Sequence, residues 1–207
     1  PLTPIQLSAE RIEHKLEAKL EGADAAMLKR SVATIVAQVQ AMKQLVDEFR
    51  DYARLPAAKL QVLDLNTLVQ DVMALYAAPQ EQGRIGTQLQ QPLPAIEGDP
   101  TQLRQVVHNL VQNALDAVAE RADGQVVVVT EAARDEAGAL RAVRLKVGDN
   151  GPGFSDKVLK RAFEPYVTTK VKGTGLGLAV VKKIADEHGA RVRIANLHHD
   201  TDPEGPV

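Results

Sequence analysis

Four polar or glycine-rich clusters contain the residues whose types and spacing could do chemistry. In the first, Asn109 and Asn113 lie four residues apart, so on a helix they share one face. Side-chain amide oxygens suit Mg²⁺, which takes oxygen ligands from protein, phosphate and water. Two solvated asparagines would show the same spacing, and this cluster taken alone favours that interpretation.

The second cluster is the segment 149–154, Asp-Asn-Gly-Pro-Gly-Phe, which follows an apolar strand pattern. Asp149, at the end of that strand, could accept a hydrogen bond from an exocyclic amine, and Gly151 and Gly153 would let a ligand approach the backbone. The same composition is typical of a simple turn. The residues alone leave the two interpretations equal.

The third cluster alternates glycines where a helix is predicted to begin: Gly173, Thr174, Gly175, Leu176 and Gly177. Backbone amides at a helix N-terminus can bind an anion, and the helix dipole adds to the attraction. The segment lacks the Lys-Ser/Thr ending of a P-loop and the preceding strand of a Rossmann turn. Alone, it is weak evidence for a phosphate site.

The fourth cluster, the segment 163–170, lies between the second and the third. It offers an aromatic ring at Phe163, two hydroxyls that include Thr169, and a cation at Lys170. The alternative interpretation is a mobile surface loop.

The elements that must position these clusters follow a long predicted helix without Gly or Pro over residues 27–54. Its apolar residues alternate four- and three-residue steps, the pattern of a coiled coil or helical bundle: Leu28, Val32, Ile35, Val39, Met42, Val46, Phe49 and Ala53. A shorter helix from Ile5 to Leu20 precedes it, and Gly22 and Asp24 provide a break and a cap. We expect a helical hairpin that dimerises through residues 5–54 into a four-helix bundle. The alternative is a hairpin packed on its own downstream domain.

After Arg54-Leu55-Pro56, predicted strands and helices alternate. The strands are expected at 60–65, 84–89, 126–130, 143–147 and 191–195, and the helices at 66–78, 100–121, 155–163 and 176–188. The predicted N-caps are Asn66, Asp99 and Ser155. These elements indicate an α+β fold in which helices cover one face of a single sheet. The predicted domains are 1–55 and 56–207.

Composition excludes several classes of function. The chain has 207 residues, a formal net charge of −2 and no cysteine. These values exclude disulfides and thiolate chemistry, and they argue against nucleic acid as a partner. No apolar run reaches the roughly 20 residues that span a bilayer. The sequence therefore predicts no membrane contact by this part of the protein.

Together, and in this order, the four clusters resemble the N, G1, F and G2 boxes of bacterial sensor histidine kinases. These kinases share a wider family of ATPases with gyrase, the Hsp90 chaperone and MutL. The opening segment 1–11 looks like the end of the H box in NtrY-type nitrogen-regulation kinases, and 163–170 also resembles that subfamily. The resemblance implies a Bergerat-type ATP-binding α/β sandwich behind a dimeric helical hairpin.

The resemblance also implies roles for the first two clusters. Asn113 matches a Mg²⁺ ligand, and Asn109 matches a polar residue near the phosphates. Asp149 matches the carboxylate that binds the adenine amino group, while Gly151 and Gly153 shape that wall of the site.

For the other two clusters, the resemblance implies an ATP lid and a phosphate loop. The lid begins at Phe163 and runs to Lys172, and its Lys170 would contact phosphate. The alternating glycines of the third cluster would hold the triphosphate, helped by the amides of Thr174 and Leu176.

As implied by the resemblance, the cofactors are ATP and Mg²⁺, and the γ-phosphoryl passes to a histidine and then to a response-regulator aspartate. The intact protein would be a membrane-anchored sensor with this portion in the cytoplasm. Two alternatives remain. One is an ATP hydrolase or clamp of the gyrase type, which would need a glutamate where this chain has Asn109. The other is a nucleotide-binding dimerisation module without catalysis.

Two departures from the family pattern matter. The phosphoacceptor histidine would lie upstream of Pro1, and the closing strand expected at the other end is missing. No histidine here is followed by the acidic-x-x-Asn/Thr-Pro pattern, and all five are interpreted as surface or helix-face residues: His14, His108, His188, His198 and His199. We therefore expect that this chain alone does not phosphorylate itself.

Overall fold

The computed structural model describes residues 2–170 and 173–197, which separate into two compact units. The first unit contains the chain up to Leu55 together with the described residues of 169–174. The second contains the described residues of 56–168 and those from Gly175 onward. Each unit has its own internal packing.

The first unit is a hairpin of helices α1 (Thr3–Glu17) and α2 (Gly22–Ala53). Ala9, Val32 and Val39 are buried where the two helices pack together. The N-cap of α2 is Glu21, so the prediction of Asp24 as the cap was wrong, and Asp24 lies in the first turn. Although α2 has 32 residues, none of the described helices is long and apolar enough to cross a membrane.

The second unit alternates short strands and helices. In chain order they are β1 (Gln61–Leu63), α3 (Leu65–Met73), α4 (Ala77–Glu81), β2 (Ile85–Leu89), β3 (Ile96–Gly98), α5 (Pro100–Ala117), β4 (Val126–Arg134), β5 (Leu140–Asp149), α6 (Asp156–Leu159) and α7 (Gly177–Glu187). A 3₁₀ turn at Ala74–Tyr76 connects α3 to α4.

Among the described residues the strands form two separate sheets, so the predicted single sheet was wrong. Strand β1 pairs antiparallel with β3, while β4 pairs in parallel with β2 and antiparallel with β5. Strand β3 was not predicted, because three residues are too few to show an alternating pattern. The predicted pairing of the strands around Gly138 is confirmed, with Val128 opposite Val147.

The core of the second unit lies between helices α3 and α5 and the sheet of β2, β4 and β5. Helix α5 contributes residues at a helical spacing, and the strands contribute every second residue. The buried apolar side chains include Leu68, Val69, Val72, Ile85, Val107, Val111, Val118, Val126 and Val128. One face of α5 is thus committed to the core, which leaves another for function.

Asp99 caps α5, as the sequence predicted. Its Oδ1 accepts hydrogen bonds from the backbone N–H groups of Thr101 (2.9 Å) and Gln102 (3.1 Å). Its Oδ2 accepts one from the N–H of Lys59, at 2.9 Å. These donors, with Lys59 first, hold the pKa of the Asp99 carboxyl below its ordinary value.

Asn66 is not the cap of α3, contrary to the prediction. The cap is Asp64, whose Oδ1 accepts a hydrogen bond from Thr67 N–H at 3.1 Å. Asn66 is buried, donates to the carbonyl of Gln90 at 2.8 Å, and accepts from the Thr130 hydroxyl at 2.6 Å. Asn and Asp cap helices equally well, so only these long-range bonds distinguish the two positions.

Helix α5 ends at Ala117 rather than at the predicted Arg121. The Arg84 guanidinium donates from Nη2 to the carbonyl of Val118 (2.6 Å) and more weakly to that of Arg121 (3.3 Å). A cation at a helix C-terminus satisfies carbonyls that the helix leaves without partners. The Arg84 guanidinium therefore supplies hydrogen bonds to carbonyls after Ala117 that a longer helix would have bonded internally.

Two further predictions were wrong after β5. Ser155 occupies the N-cap position of α6, but its side chain makes no capping hydrogen bond and the helix ends at Leu159 rather than Phe163. Residues 191–195 alternate in exposure as a strand would, yet they form no ladder. Instead, the Asn196 side chain accepts from the N–H of Phe154 (2.9 Å) and donates to its carbonyl (2.7 Å).

The capping bonds of Asp99 predict a pH-dependent contribution to stability. Asp99→Ala should lower the free energy of unfolding at pH 7 by about 2 kcal/mol, because three backbone donors lose their acceptor. Since its folded-state pKa is lowered, the carboxylate stabilises the fold above its ordinary value of 3.8. That contribution is lost as the pH falls through the lowered pKa, so the difference between the variant and the unmodified chain in urea unfolding should shrink as the pH is taken below 3.8.

Asp64→Ala is the matched control, because Asp64 caps α3 through one exposed bond. This variant should lower the free energy of unfolding by about 1 kcal/mol or less. Equal losses for the two variants, or an Asp99→Ala loss that does not shrink in acid, would contradict this account.

Candidate functional site

The polar face of α5 lies against the first turn of α7. The Asn109 side-chain amide donates to the carbonyl of Gly177, at 3.4 Å. A Cβ placed on Gly177 would lie 3.4 Å from Nδ2 of Asn113. The structure therefore brings Asn109, Asn113 and Gly177 together, at the start of a helix that exposes unpaired N–H groups.

The next turn of the same face contacts the loop that follows β5. A Cβ on Gly151 would lie 3.0 Å from the Cβ and the carbonyl oxygen of Ala117. Asn109, Asn113 and Ala117 are spaced by four residues, so they form one continuous face about 12 Å long. We call this the N-box face. It contacts the first turn of α7 at one end and the loop after Asp149 at the other.

Asp149 ends β5 with a half-buried carboxylate. Its Oδ1 accepts a hydrogen bond from the N–H of Gly151, at 2.9 Å. Within the part of the chain that the structure describes, no other hydrogen bond to this carboxylate is formed. The orientation of the group is thus fixed while Oδ2 can still accept a hydrogen bond from a ligand.

Two asparagines that sequence reasoning did not select hold this loop in place. Asn150 accepts from the N–H of Gln125 and donates to the carbonyl of Asp123, both at 2.8 Å. Asn196 bonds both the N–H and the carbonyl of Phe154. Its Oδ1 would lie only 2.7 Å from a Cβ on Gly153, where φ is +69°. The turn signal at Asn150 was visible in the sequence, but nothing local indicates the contact of Asn196.

Tyr166 and Gly175, which flank the segment 167–174, are in close backbone contact, and we call this contact the crossing. The N–H of Tyr166 donates to the carbonyl of Gly175 at 3.0 Å, and a Cβ on Gly175 would lie 2.6 Å from the carbonyl carbon of Tyr166. Tyr166 has φ = +66° and Gly175 has φ = +71°. Because L side chains rarely adopt this conformation, Tyr166 holds strained backbone at this crossing.

Four of the predicted site residues group with the hairpin unit: Thr169, Lys170, Gly173 and Thr174. The N–H of Gly173 donates to the carbonyl of Lys170 at 3.2 Å, and the Thr174 hydroxyl donates to the Glu48 carboxylate. Lys172, the predicted end of the lid, lies outside the described residues. The structure therefore assigns this segment to a different unit from the N-box face.

The remaining predicted residues belong to the second unit. Leu176 is fully buried and precedes α7, so it contributes packing as well as a backbone amide. Phe163 is half-buried next to the buried Ala162.

Residues 2–170 and 173–197 contain no group of three or more His, Asp or Glu side chains that could hold a metal ion. The side-chain oxygen of Asn113 could be one protein ligand of Mg²⁺, because this ion keeps waters and binds nucleotide phosphates with one or two protein oxygens.

The histidines on α5 and at the end of α7 are engaged in structural contacts. Nδ1 of His108 lies 2.8 Å from Oη of Tyr76, whose pKa is raised by burial. Nε2 of His188 accepts the N–H of Asp99 at 2.9 Å, while Nδ1 contacts the carbonyl of Ile184 at 2.8 Å. His198 and His199 lie outside the described residues.

A family model described as "Histidine kinase-, DNA gyrase B-, and HSP90-like ATPase" matches residues 98–205. The nitrogen regulation protein NtrY of Azorhizobium caulinodans is 31% identical over 99% of this chain and 26% of its own length. The sensor histidine kinase ZraS of Escherichia coli K12 is 35% identical over 75% of this chain and 32% of its own. The chain thus spans about a quarter to a third of the length of these relatives.

Among solved structures, the chain is similar to the histidine kinase ThkA in complex with the response regulator protein TrrA. The TM-score is 0.63 at 22% identity, and the match covers 91% of this chain and 52% of that one. At this identity the likeness concerns the fold.

The crossing at Tyr166 predicts that Gly175→Ala is more damaging than its positive φ alone requires. A methyl group there must displace backbone 2.6 Å away, so the free energy of unfolding should fall by about 3 kcal/mol or more. Gly138→Ala is the matched control, since Gly138 has φ = +82° but nothing within 4 Å of its Cβ position. Gly138→Ala should lower the free energy of unfolding by about 1–2 kcal/mol. Urea titration of both variants measures the two losses, and equal losses would show that the close contact is unimportant.

Proposed function

Because this chain belongs to the histidine kinase-, DNA gyrase B- and HSP90-like ATPase family and has NtrY among its relatives, we propose that it is the ATP-binding core of an NtrY-type sensor histidine kinase. The observation that carries the proposal is the N-box face. One helix face contacts the Asp149 loop and the start of α7, so it can span a nucleotide from base to phosphates.

The base is bound at the Asp149 end. Oδ2 of Asp149 accepts a hydrogen bond from the exocyclic amine of adenine, because Oδ1 is already held by Gly151. Gly151 and Gly153 allow this wall of the site to pack closely, since a Cβ would lie 2.7 Å from Oδ1 of Asp149 at the first position and 2.7 Å from Oδ1 of Asn196 at the second.

The phosphates are bound at the other end, by the first amides of α7 and the glycines that precede it. Asn109 and Asn113 face this turn. Asn113 is the protein ligand of Mg²⁺, which when bound neutralises charge on the phosphates. Thr169 and Lys170 belong to the lid that closes over the nucleotide, while Gly173 and Thr174 belong to the loop that holds the triphosphate.

The reaction is transfer of the γ-phosphoryl to a histidine and then to a response-regulator aspartate. Phosphoryl transfer requires mainly positioning and charge stabilisation, which backbone amides, Mg²⁺ and one lysine can provide. A gyrase-type hydrolase would need a carboxylate to activate water, and the amide of Asn109 cannot act as that base.

The first partner is a second copy of the chain. On α2, Ile35, Met42 and Val46 are 43%, 57% and 54% exposed although they belong to the predicted apolar seam. A second hairpin that covers this stripe would complete a four-helix bundle.

The second partner is the receiver domain of a response regulator, by analogy with ThkA and TrrA. The intact protein is membrane-anchored, with this portion on the cytoplasmic side where ATP is available.

Replacing Asp149 tests the nucleotide site. Asp149→Asn should weaken binding of ATP or ADP by about 1.5–3 kcal/mol, since a charged acceptor for the adenine amine is lost. Isothermal titration with Mg²⁺ present measures the change, and Asp156→Asn, an exposed carboxylate on α6, should leave the affinity unaltered. Undiminished affinity in Asp149→Asn would remove Asp149 from the site.

Phosphohistidine formation tests the reaction. Incubated with γ-labelled ATP, the 207-residue chain should incorporate no label, because none of its histidines lies in an H box. A version that carries a complete H box before Pro1 should incorporate label that is acid-labile and base-stable. Label on a histidine of the shorter chain would overturn the H-box alignment, and steady ATP hydrolysis without label would favour the gyrase-type alternative.

Dimerisation is tested by light scattering over a range of concentrations. Val46→Glu should produce monomers, because a charge in the apolar stripe would be buried by the second copy. Gln40→Glu, on the opposite side of α2, is the control and should dimerise as the unmodified chain does. A monomer at every concentration of the unmodified chain would favour a hairpin that packs on its own downstream domain.

A further inference from the structure

The loop 149–154, which we call the base loop, begins with Asp149 and ends at Phe154. Its middle is Gly151-Pro152-Gly153, in which the glycines permit many backbone conformations and the proline has no N–H to donate. A segment of this composition has little conformational preference of its own. The position of the base loop therefore depends on the contacts made at its two ends.

At the first end, Asn150 makes three hydrogen bonds to the turn before β4. Its backbone N–H donates to the carbonyl of Gln125 at 3.2 Å, and its Oδ1 accepts from the N–H of the same residue at 2.8 Å. Its Nδ2 donates to the carbonyl of Asp123 at 2.8 Å. Since both the oxygen and the nitrogen of the amide are engaged, the residue next to Asp149 has one defined orientation.

The turn that receives these bonds is itself held in place. Gly124, which lies between Asp123 and Gln125, is buried, and a Cβ there would lie 2.6 Å from the carbonyl oxygen of Val118. The Arg84 guanidinium donates to that same carbonyl at 2.6 Å. Asn150 therefore fastens the base loop to the ordered end of α5 rather than to a free surface turn.

At the other end, Asn196 bonds both backbone groups of Phe154. Its Oδ1 accepts from the N–H at 2.9 Å, and its Nδ2 donates to the carbonyl at 2.7 Å. The next residue, Leu197, packs beside the end of β5, since its Cδ1 would lie 3.9 Å from a Cβ on Gly148. Asn196 thus fixes Phe154 from a segment that lies 42 residues further along the chain.

These contacts determine where the Asp149 carboxylate points. Its Oδ1 is held by the N–H of Gly151, which lies in the base loop between the two fixed ends. If either end were released, Gly151 could move and the direction of Oδ2 would no longer be fixed. A fixed acceptor distinguishes purines at position 6, because the amine of adenine donates a hydrogen bond whereas the oxygen of hypoxanthine or guanine only accepts.

We propose that Asn150 and Asn196 are positioning residues that make this site selective for adenine over 6-oxopurine nucleotides. Their amides bond to backbone groups, so they act on the base through Asp149 rather than by touching it. The inference deepens the proposed function and rests on its nucleotide site.

The test compares Asn150→Ala and Asn196→Ala in the 207-residue chain by isothermal titration with ADP and with IDP, in the presence of Mg²⁺. Each variant should bind ADP about tenfold more weakly, because a charged hydrogen bond that loses its geometry is worth about that factor. Each should change the affinity for IDP by less than about twofold, because the 6-oxygen of hypoxanthine cannot donate to Asp149. The ratio of the two affinities should therefore fall at least about fivefold.

Gln90→Ala is the matched control, because it also removes an amide that accepts from a backbone N–H, that of Ala132 at 2.8 Å. Ala132 pairs with Val143, far along the ladder from Asp149. This variant should leave both affinities unchanged. An unchanged ADP affinity in Asn150→Ala or in Asn196→Ala, or an equal loss for ADP and IDP, would overturn the proposal.

Hydrogen exchange in the nucleotide-free protein tests the contacts without any variant and separates this proposal from the proposed function. The amides of Gln125 and Phe154 should both be protected, because each donates to an asparagine side chain. Free exchange of either amide would disprove that hydrogen bond and with it the proposal. If both amides are protected and the unmodified chain binds neither ADP nor IDP, the nucleotide site itself is refuted, and its selectivity with it.

Discussion

Helix α5 has to satisfy two opposite environments at once, and the rest of the second unit depends on how it does so. Val107, Val111 and Val118 commit one side of it to the core. That burial fixes the rotation of the helix, so Asn109 and Asn113 must face away from the strands. Burial alone would let the helix slide along its axis. Asp99 at one end and Arg84 at the other prevent this sliding. Asp99 accepts hydrogen bonds from the first N–H groups of α5, and Arg84 donates to the carbonyl that follows its last turn, so a shift of the helix would break these bonds.

The features that the sequence predicted well are those decided within a few residues. Asp99 was identified as a cap because the N–H groups of α5 that donate to its carboxylate lie within one turn. The four-residue step of Asn109 and Asn113 needs only helical geometry. Asn66 was misassigned because its partners, Gln90 and Thr130, are distant in the chain. The strand predicted at 191–195 failed for the same reason, since a ladder depends on a neighbour that local patterns do not contain. Strand β3 was missed because its three residues are too few to show an alternating pattern.

The residues of the candidate site also separate into those that local patterns indicated and those that only distant contacts reveal. The spacing and residue types indicated Asn109, Asn113 and Gly177. The structure places Asn109 in hydrogen-bond contact with Gly177 and Asn113 close to the same glycine. No local pattern indicated Ala117 or Asn196, because their importance comes from the absence of side chains at Gly151 and Gly153. A glycine in a sequence shows that space is needed. Only the folded chain shows which atoms occupy it.

The contacts of His188 fix the tautomer of its ring. The Asp99 N–H can only donate, so Nε2 must be the acceptor, and the Ile184 carbonyl can only accept, so Nδ1 must carry the proton. The ring is therefore a single bridge, which accepts a hydrogen bond from the start of α5 and donates one at the end of α7.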